Sequence, residues 1–252
     1  MDRRGFFTVA GVVAVAATSA EAVRATEETP PNPTSRTAAP SGSSLAYEVR
    51  VVYRTAPAER LIALTFDDGP TPTWTPQVLA LLARHQARAT FFVVGERLAA
   101  APQLARTAVR SGHQIGTHTW AHSNLKTHSE RFIGDSLRRT HQLIADVTGR
   151  APTALRPPWG QIDAVGLLVC SELKYDVILW SEHVTGSNAF ADAATTARQA
   201  RPGSIVLAHD GGPEPNRNLM RALDQMLTSL RAEGYRFVTV SELLAASIPF
   251  QR

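Results

Sequence analysis

Between Leu61 and Val240 the chain alternates apolar runs of strand length with amphipathic stretches of helical length, and no other feature limits its fold as strongly. The strand candidates are Leu61–Phe66, Thr90–Val94, Gln114–Thr117, Ala154–Arg156, Val177–Trp180, Ile205–Ala208 and Phe237–Val240. Helical patterns separate them at Thr75–His85, Leu98–Ser111, Glu130–Thr148, Ile162–Leu173, Ala191–Arg201 and Asn218–Glu233, with a short last helix near Ser241. Repeated strand-helix units imply a parallel sheet, and about seven of them close a barrel or nearly so. A doubly wound open sheet is the structural rival. The segment Tyr47–Tyr53 is expected to add a strand outside this core.

The length of 252 residues and 44% hydrophobic content are enough for one sizeable core. The net charge of +4 comes almost wholly from arginine, since Lys126 and Lys174 are the only lysines. No dense basic run is present, which argues against a nucleic-acid partner. The diffuse charge is compatible with an anionic polymer such as a cell wall without identifying one. Cys170 is the only cysteine, so an intrachain disulfide and a CxxC metal site are both excluded.

The first 22 residues have the form of an export signal. Arg3-Arg4 precedes an apolar stretch from Val9 to about Ala17, and Ala20-Glu21-Ala22 fits a cleavage site. That stretch is shorter than the roughly 20 residues a bilayer span needs, so no stable membrane span is expected. Residues 1–22 are therefore read as a twin-arginine-like signal peptide. Residues 23–44, rich in Pro, Thr, Ser, Ala and Glu without periodicity, are read as a disordered linker. The catalytic domain would occupy residues 45–252.

Barrel enzymes build their sites at the C-terminal ends of the strands, so polar residues there should converge. Asp67 and Asp68 follow the first strand in Thr65-Phe66-Asp67-Asp68-Gly69-Pro70. Neighbours at a strand end point in opposite directions, which lets one carboxylate bind a metal while the other acts as a base. Read alone, Asp-Asp-Gly-Pro is an ordinary turn. His118-Thr119-Trp120-Ala121-His122 places two imidazoles four residues apart, and two histidines with one carboxylate form a catalytic zinc or iron site. An isolated pair of this kind in a chain with eight histidines is weak evidence until the acidic pair is considered. Arg156-Pro157-Pro158-Trp159-Gly160 sets a guanidinium beside two stiff prolines, suited to holding a carboxylate and to fixing backbone N–H groups. A proline-rich turn with a surface arginine is its plain alternative. His209, at the mouth of an apolar strand, is either a satisfied core histidine or a proton donor.

In order, TFDDGP, HTWAH, RPPWG and LAHD resemble the motifs of the polysaccharide deacetylases of carbohydrate esterase family 4, over about Leu61 to Val240. The resemblance implies an α/β fold, a distorted, incomplete (β/α)7 barrel of parallel strands. It implies a divalent metal, Zn2+ or another such as Co2+ or Ni2+, held by Asp68, His118 and His122. Asp67 would be the catalytic base, Arg156 the residue that holds it, the Trp159 backbone N–H an oxyanion donor and His209 the general acid. Leu207 matches the wall around the acetyl methyl, and Trp74, Trp120 and Trp159, beside the expected catalytic face, are candidates for stacking on sugar rings or for packing of loops. The implied partner is an acetylated glycan, with peptidoglycan first and chitin-like oligomers next. The implied reaction is removal of N-acetyl groups from N-acetylglucosamine units by a monomer exported to the cell envelope or beyond.

Two departures from the family pattern stand out. Ser123 replaces the proline that usually follows the second motif histidine. The family's Asp-x-x-Asp-Trp after the fifth strand is replaced by His183, Gly186 and Ser187. His209 thus lacks its expected carboxylate unless Glu182, Asp192 or Asp210 substitutes. His183 is a replacement contact to sugar, a spare ligand or a surface histidine. The altered motif keeps open an O-acetyl polysaccharide esterase and a glycan-binding pseudoenzyme.

Overall fold

The computed structural model describes residues 48–213 and 215–247; the expected signal peptide and linker lie outside the described residues. A parallel sheet carries the fold. Its strands are β1 (Val51–Val52), β2 (Leu61–Asp67), β3 (Thr90–Val93), β4 (Gln114–Thr117), β5 (Ala154–Leu155), β6 (Asp176–Ile178), β7 (Glu182–His183), β8 (Ile205–His209) and β9 (Arg236–Val238). The helices are α1 (Thr75–Arg84), α2 (Gly95–Ala100), α3 (Pro102–Arg110), α4 (Glu130–Thr148), α5 (Ala164–Glu172), α6 (Ala189–Gln199), α7 (Arg217–Ala232) and α8 (Val240–Ala245).

The pairing order is β1-β6-β5-β4-β3-β2-β8-β7, with β9 on the N-terminal half of β2. Strands β6 and β7 stand near opposite ends of this order, yet only Leu179–Ser181 separates them in sequence. Four residue steps span at most roughly 14 Å. The sheet therefore curls until its two ends face each other across that segment, as an incomplete (β/α)7 barrel with an open seam. The expected strand within Tyr47–Tyr53 is present as β1, paired in parallel with β6 at the sheet edge.

Both faces of β2 are covered, which is why its sequence runs apolar without alternation. Ile62, Leu64 and Phe66 pack outward with Phe91, Val206, Leu223 and other helix-side residues. Leu61 and Ala63 pack inward with Phe92, Ile178, Ile205 and Val238. Side chains alternate along a strand, so Thr65 and Asp67 continue the inner row toward the mouth of the barrel.

Three of the element boundaries that differ from the sequence reading do so for plain local reasons. The helix expected over Leu98–Ser111 is two helices, because Ala101 precedes Pro102 and is held out of the helical region at φ −138°, ψ 54°. The helix expected from Ile162 starts at Ala164, where the Asp163 carboxylate accepts the Gly166 N–H at 3.0 Å. The last strand stops at Val238 instead of Val240, because Thr239 and Glu242 form a capping box that starts α8. The fourth strand ends at Leu155, leaving Arg156 just beyond it. Strand β7, short and polar, has no apolar run to announce it.

Candidate functional site

The inner row of β2 and β8 sets the geometry. Asp67 and His209 are register partners on these adjacent strands, and Thr65 is paired with Leu207 one step below. Asp67 is 3% exposed, and Arg156, at 0%, sits beside it. The Arg156 guanidinium donates through Nη1 to Asp67 Oδ1 at 2.8 Å and to Thr65 Oγ1 at 2.6 Å. Its Nε and Nη2 donate to the carbonyls of Ile178 and Leu179, each at 3.1 Å. The ring of Phe92 lies 4.4 Å from the guanidinium carbon. Every edge of the fork is thus engaged, as a buried charge requires.

Next to this pair, Asp68, His118 and His122 each offer one ligand atom, all within 4.8 Å of one another. Asp68 Oδ1 lies 3.2 Å from His122 Nε2 and 3.6 Å from His118 Nε2. His118 Nδ1 lies 2.7 Å from the Arg156 carbonyl oxygen, which can only accept, so Nδ1 carries the proton. Burial holds the His118 imidazole below its ordinary pKa, which favours the neutral ring. A neutral ring with its proton on Nδ1 turns a bare Nε2 lone pair toward the carboxylate. Asp68 Oδ1 is itself buried without a hydrogen-bond donor among the described residues. Two lone pairs converging in a buried pocket fit a divalent cation, and a carbonyl that fixes the far nitrogen is the usual support for a histidine ligand.

The loops holding these groups are unusual in backbone conformation. Asp68, Thr119, His122 and Trp159 all have positive φ, at 72°, 68°, 55° and 56°. Such conformations cost roughly 1–3 kcal/mol each and persist where surrounding structure enforces them. Part of that enforcement is close packing between the Asp68 loop and the loop after β8. A Cβ on Gly69 would lie 2.3 Å from the Asp210 carboxylate, and one on Gly211 would lie 2.0 Å from the Asp68 carbonyl oxygen.

Asp210 is fully buried and lashes these loops together. Its N–H donates to the Asp67 carbonyl at 3.1 Å, its carbonyl accepts from Thr71 Oγ1 at 2.7 Å, and its Oδ2 accepts from Thr75 Oγ1 at 2.5 Å. Burial first, with the nearby Asp67 and Asp68 charges adding, raises its pKa to about 7. Arg97 completes the frame by donating to the Asp68 carbonyl. Thr65, Thr75 and Arg97 fall outside the sequence reading. Alternation on β2 would have placed Thr65 beside Asp67, whereas the sequence carries no signal for Thr75 or Arg97.

None of the three carboxylates considered as partners for His209 serves it. Glu182 accepts from Ser181 Oγ and Ser204 Oγ, with burial raising its pKa. Asp192 accepts from the Thr185 N–H and hydroxyl at 3.0 and 2.6 Å. Asp210 is engaged by Thr75. His209 Nδ1 is buried with no hydrogen-bond partner among the described residues.

The remaining sequence candidates divide. The Trp159 ring meets His122 edge to face at 4.4 Å and is 60% exposed. Leu207 is nearly buried, and His183 is its register partner on β7. Trp159 and His183 line one cleft of about 400 Å³ with Trp180. Trp120 is not among the residues lining that cleft. The Arg139 guanidinium covers its ring at 3.5 Å, and a Cβ on Gly95 would meet the indole at 2.4 Å, so this tryptophan is committed to packing between α2 and α4. No helix of the described residues is long and apolar enough to cross a membrane.

A parallel half-barrel with a histidine, a clamped carboxylate and a His-His-Asp cluster at its mouth is the arrangement of a metal-dependent hydrolase. The chain belongs to the polysaccharide deacetylase family, whose model matches residues 54–178. It is 38% identical over 191 residues to a peptidoglycan-N-acetylglucosamine deacetylase of Bacillus cereus, covering 74% of this chain and 89% of that protein. It is also 38% identical over 191 residues to the peptidoglycan-N-acetylglucosamine deacetylase PgdA of Listeria monocytogenes, covering 75% of this chain and 40% of PgdA. The chain thus spans less than half the length of that second relative. Among solved structures it is similar to BA3943, a CE4 family pseudoenzyme from Bacillus anthracis, at 27% identity and a TM-score of 0.68, over 77% of this chain and 68% of that one.

Proposed function

We propose that the protein is an exported, divalent-metal-dependent N-deacetylase of N-acetylglucosamine-containing polysaccharide, acting on peptidoglycan first and chitin-like oligomers next. The observation that carries this reading is the buried Arg156–Asp67 pair set against the Asp68, His118 and His122 cluster. Metal chemistry needs ligands and a separate base, and here two adjacent aspartates divide those tasks. Asp68, His118 and His122 would hold a divalent cation, zinc ahead of Co2+ or Ni2+, which when bound would supply Lewis acidity toward the acetyl carbonyl and lower the pKa of water from near 16 toward roughly 7.

Asp67, fixed by Arg156, takes the proton of the attacking water at Oδ2, the oxygen that Arg156 leaves free. The Trp159 N–H donates to the developing oxyanion, and Leu207 faces the acetyl methyl. His209, across from Asp67 on β8, delivers a proton to the departing sugar nitrogen, so that acetate and a free amine result. An envelope or extracellular location agrees with the peptidoglycan relatives and with the twin arginine at Arg3-Arg4.

Acetate release from peptidoglycan and from N-acetylglucosamine oligomers, with and without a chelator, tests the reading directly. Release that is lost with chelator, restored by Zn2+, Co2+ or Ni2+, and abolished in Asp67→Asn is the expected result. No release with any of the three metals would overturn it. His209 Nδ1, unpartnered among the described residues, favours one second reading, an O-acetyl polysaccharide esterase, because an alkoxide leaving group needs less help from a proton donor than an amine does. Acetylated xylan assayed beside the oligomers separates the two.

A further inference from the structure

A second cleft lies at the other end of the barrel from the metal-ligand cluster. It is lined by Gln86 and Arg88 from the connection between α1 and β3, by Arg231 from the last turn of α7, and by Tyr235, Arg236 and Phe237 at the start of β9. Arg236 is the register partner of Leu61, the first residue of β2, whereas Asp67 is the last. At roughly 3.3 Å per residue the length of that strand sets about 20 Å between the cleft and the site at the mouth. Deacetylation makes no use of these residues.

The charged side chains that line the cleft are all arginines, with no carboxylate among them. Arg60 adds a fourth guanidinium beside them, 4.6 Å from the centre of the Tyr235 ring. Two carboxylates answer the four: Glu242 holds Arg88 at 2.7 Å, and Glu59 holds Arg236. Positive charge is left in excess. Arg231 has no carboxylate partner among the described residues. Its Nη1 donates to the His85 carbonyl, and its Nη2 lies 3.4 Å from Gln86 Oε1. These neutral acceptors steady the planar fork without cancelling its charge. Backbone donors around the cleft are already spent, since the N–H groups of Arg88, Tyr235 and Arg236 go to the carbonyls of Phe237, Leu230 and Arg60. The guanidiniums, with the Gln86 amide, are the donors left for a ligand.

Forked donors of this kind suit an oxyanion, and a phosphate has oxygens for more forks than a carboxylate has. The volume of about 410 Å³ also exceeds what the five heavy atoms of a phosphate fill, at roughly 30 Å³ for each water-sized group. Room remains for a small polar body that carries the phosphate. We propose that this cleft binds a phosphate group, free or carried on a small sugar or polyol, with Arg231 as its anchor and Arg88 and Arg236 as flanking donors. The site stands apart from the deacetylase reading, because its residues lie at the opposite ends of the strands.

The test is calorimetric titration of the full chain at low salt with inorganic phosphate, glucose 6-phosphate and glucose, with a chelator present so that phosphate has no metal to bind. Both phosphates should bind saturably and glucose should not. Arg231→Gln should weaken phosphate binding about tenfold, the scale of one lost charge-assisted contact, and leave acetate release by the metal-loaded protein unchanged. Glu242→Gln should act in the opposite direction. It keeps a side-chain oxygen for the Thr239 N–H that starts α8 but removes a negative charge beside Arg88, so binding should tighten several-fold. A gain of affinity cannot come from a variant that fails to fold. Tighter binding of glucose 6-phosphate than of phosphate identifies a carried phosphate as the ligand, and equal binding identifies the free ion. No saturable binding of either phosphate, or equal affinity in wild type, Arg231→Gln and Glu242→Gln, overturns the site.

Discussion

Arg156 and Asp67 form one buried unit, with Nη1 2.8 Å from Oδ1 and both side chains at most 5% exposed. The same guanidinium spans three strands, touching Thr65 and Asp67 on β2, Ile178 on β6 and Leu179 just after it, beneath the Phe92 ring of β3. It therefore ties one end of the curled sheet to its centre while orienting the proposed base.

Arg156→Lys should be far from conservative. A lysine ammonium cannot reproduce the planar fork that reaches four acceptors, and it would leave two carbonyls and part of Asp67 unpaired. Breaking one side of a buried ion pair costs roughly 3–5 kcal/mol. Urea unfolding should show a loss of that order for Arg156→Ala, smaller in an Asp67→Asn background because no buried charge is then stranded. Equal losses in both backgrounds would mean that the pair does not act as a unit.

Metal addition should stabilise the protein through Asp68, His118 and His122 and through nothing else. A ligand at 100 times its dissociation constant adds about 2.7 kcal/mol, which for a domain of this size raises the melting temperature by roughly 5–10 °C. Calorimetry of chelated and zinc-loaded protein should show that rise in wild type and in Asp67→Asn. His118→Ala and Asp68→Ala should abolish it. A rise that survives in both ligand variants would place the metal elsewhere.

The fold could be read far along the chain, because strands covered on both faces announce themselves as apolar runs, as Leu61–Phe66 and Ile205–Ala208 do. What escaped was local: Pro102 splitting one helix, Thr239 and Glu242 ending a strand early, and β7, whose Glu182 and His183 carry no hydrophobic signal. The candidate site was legible where chemistry clusters in sequence, at Asp67-Asp68 and His118-x-x-x-His122. Residues that act through distant contacts were not. Thr75 reaches Asp210 across 135 positions, and Tyr53 reaches the Trp159 cleft only because β1 pairs with β6.

His209 should matter more for amides than for esters. With Nδ1 unpartnered among the described residues, none of their carboxylates fixes its ring plane or tautomer. His209→Ala should therefore reduce N-deacetylation of an N-acetylglucosamine oligomer by about 10²–10⁴-fold and hydrolysis of an activated acetyl ester much less. Gly186, which the family resemblance aligns with the missing carboxylate, is not among the described glycines with positive φ. Gly186→Asp should raise N-deacetylation relative to ester hydrolysis. Equal losses on both substrates for His209→Ala would count against the acid assignment.

Asp210 should make the metal-free protein lose stability as pH rises. Its pKa stands at about 7 in the folded chain against an ordinary value of 3.8, because burial beside Asp67 and Asp68 penalises the ionised form. Below about pH 3.8 both folded and unfolded chains hold the proton and the group contributes no pH dependence. From there to about pH 7 the unfolded chain gives up the proton while the folded chain keeps it, so folding weakens steadily. Above about pH 7 both are ionised and the loss stops growing. The span from 3.8 to about 7 corresponds to roughly 4 kcal/mol at most. Asp210→Asn keeps a carbonyl oxygen for Thr75 Oγ1 and has no proton to lose, so it should remove this slope. Urea melts of chelated wild type and variant at pH 5 and pH 8 measure it. Asp210→Asn should gain stability relative to wild type between those two values, and parallel curves would show that Asp210 is already ionised in the folded protein at pH 5.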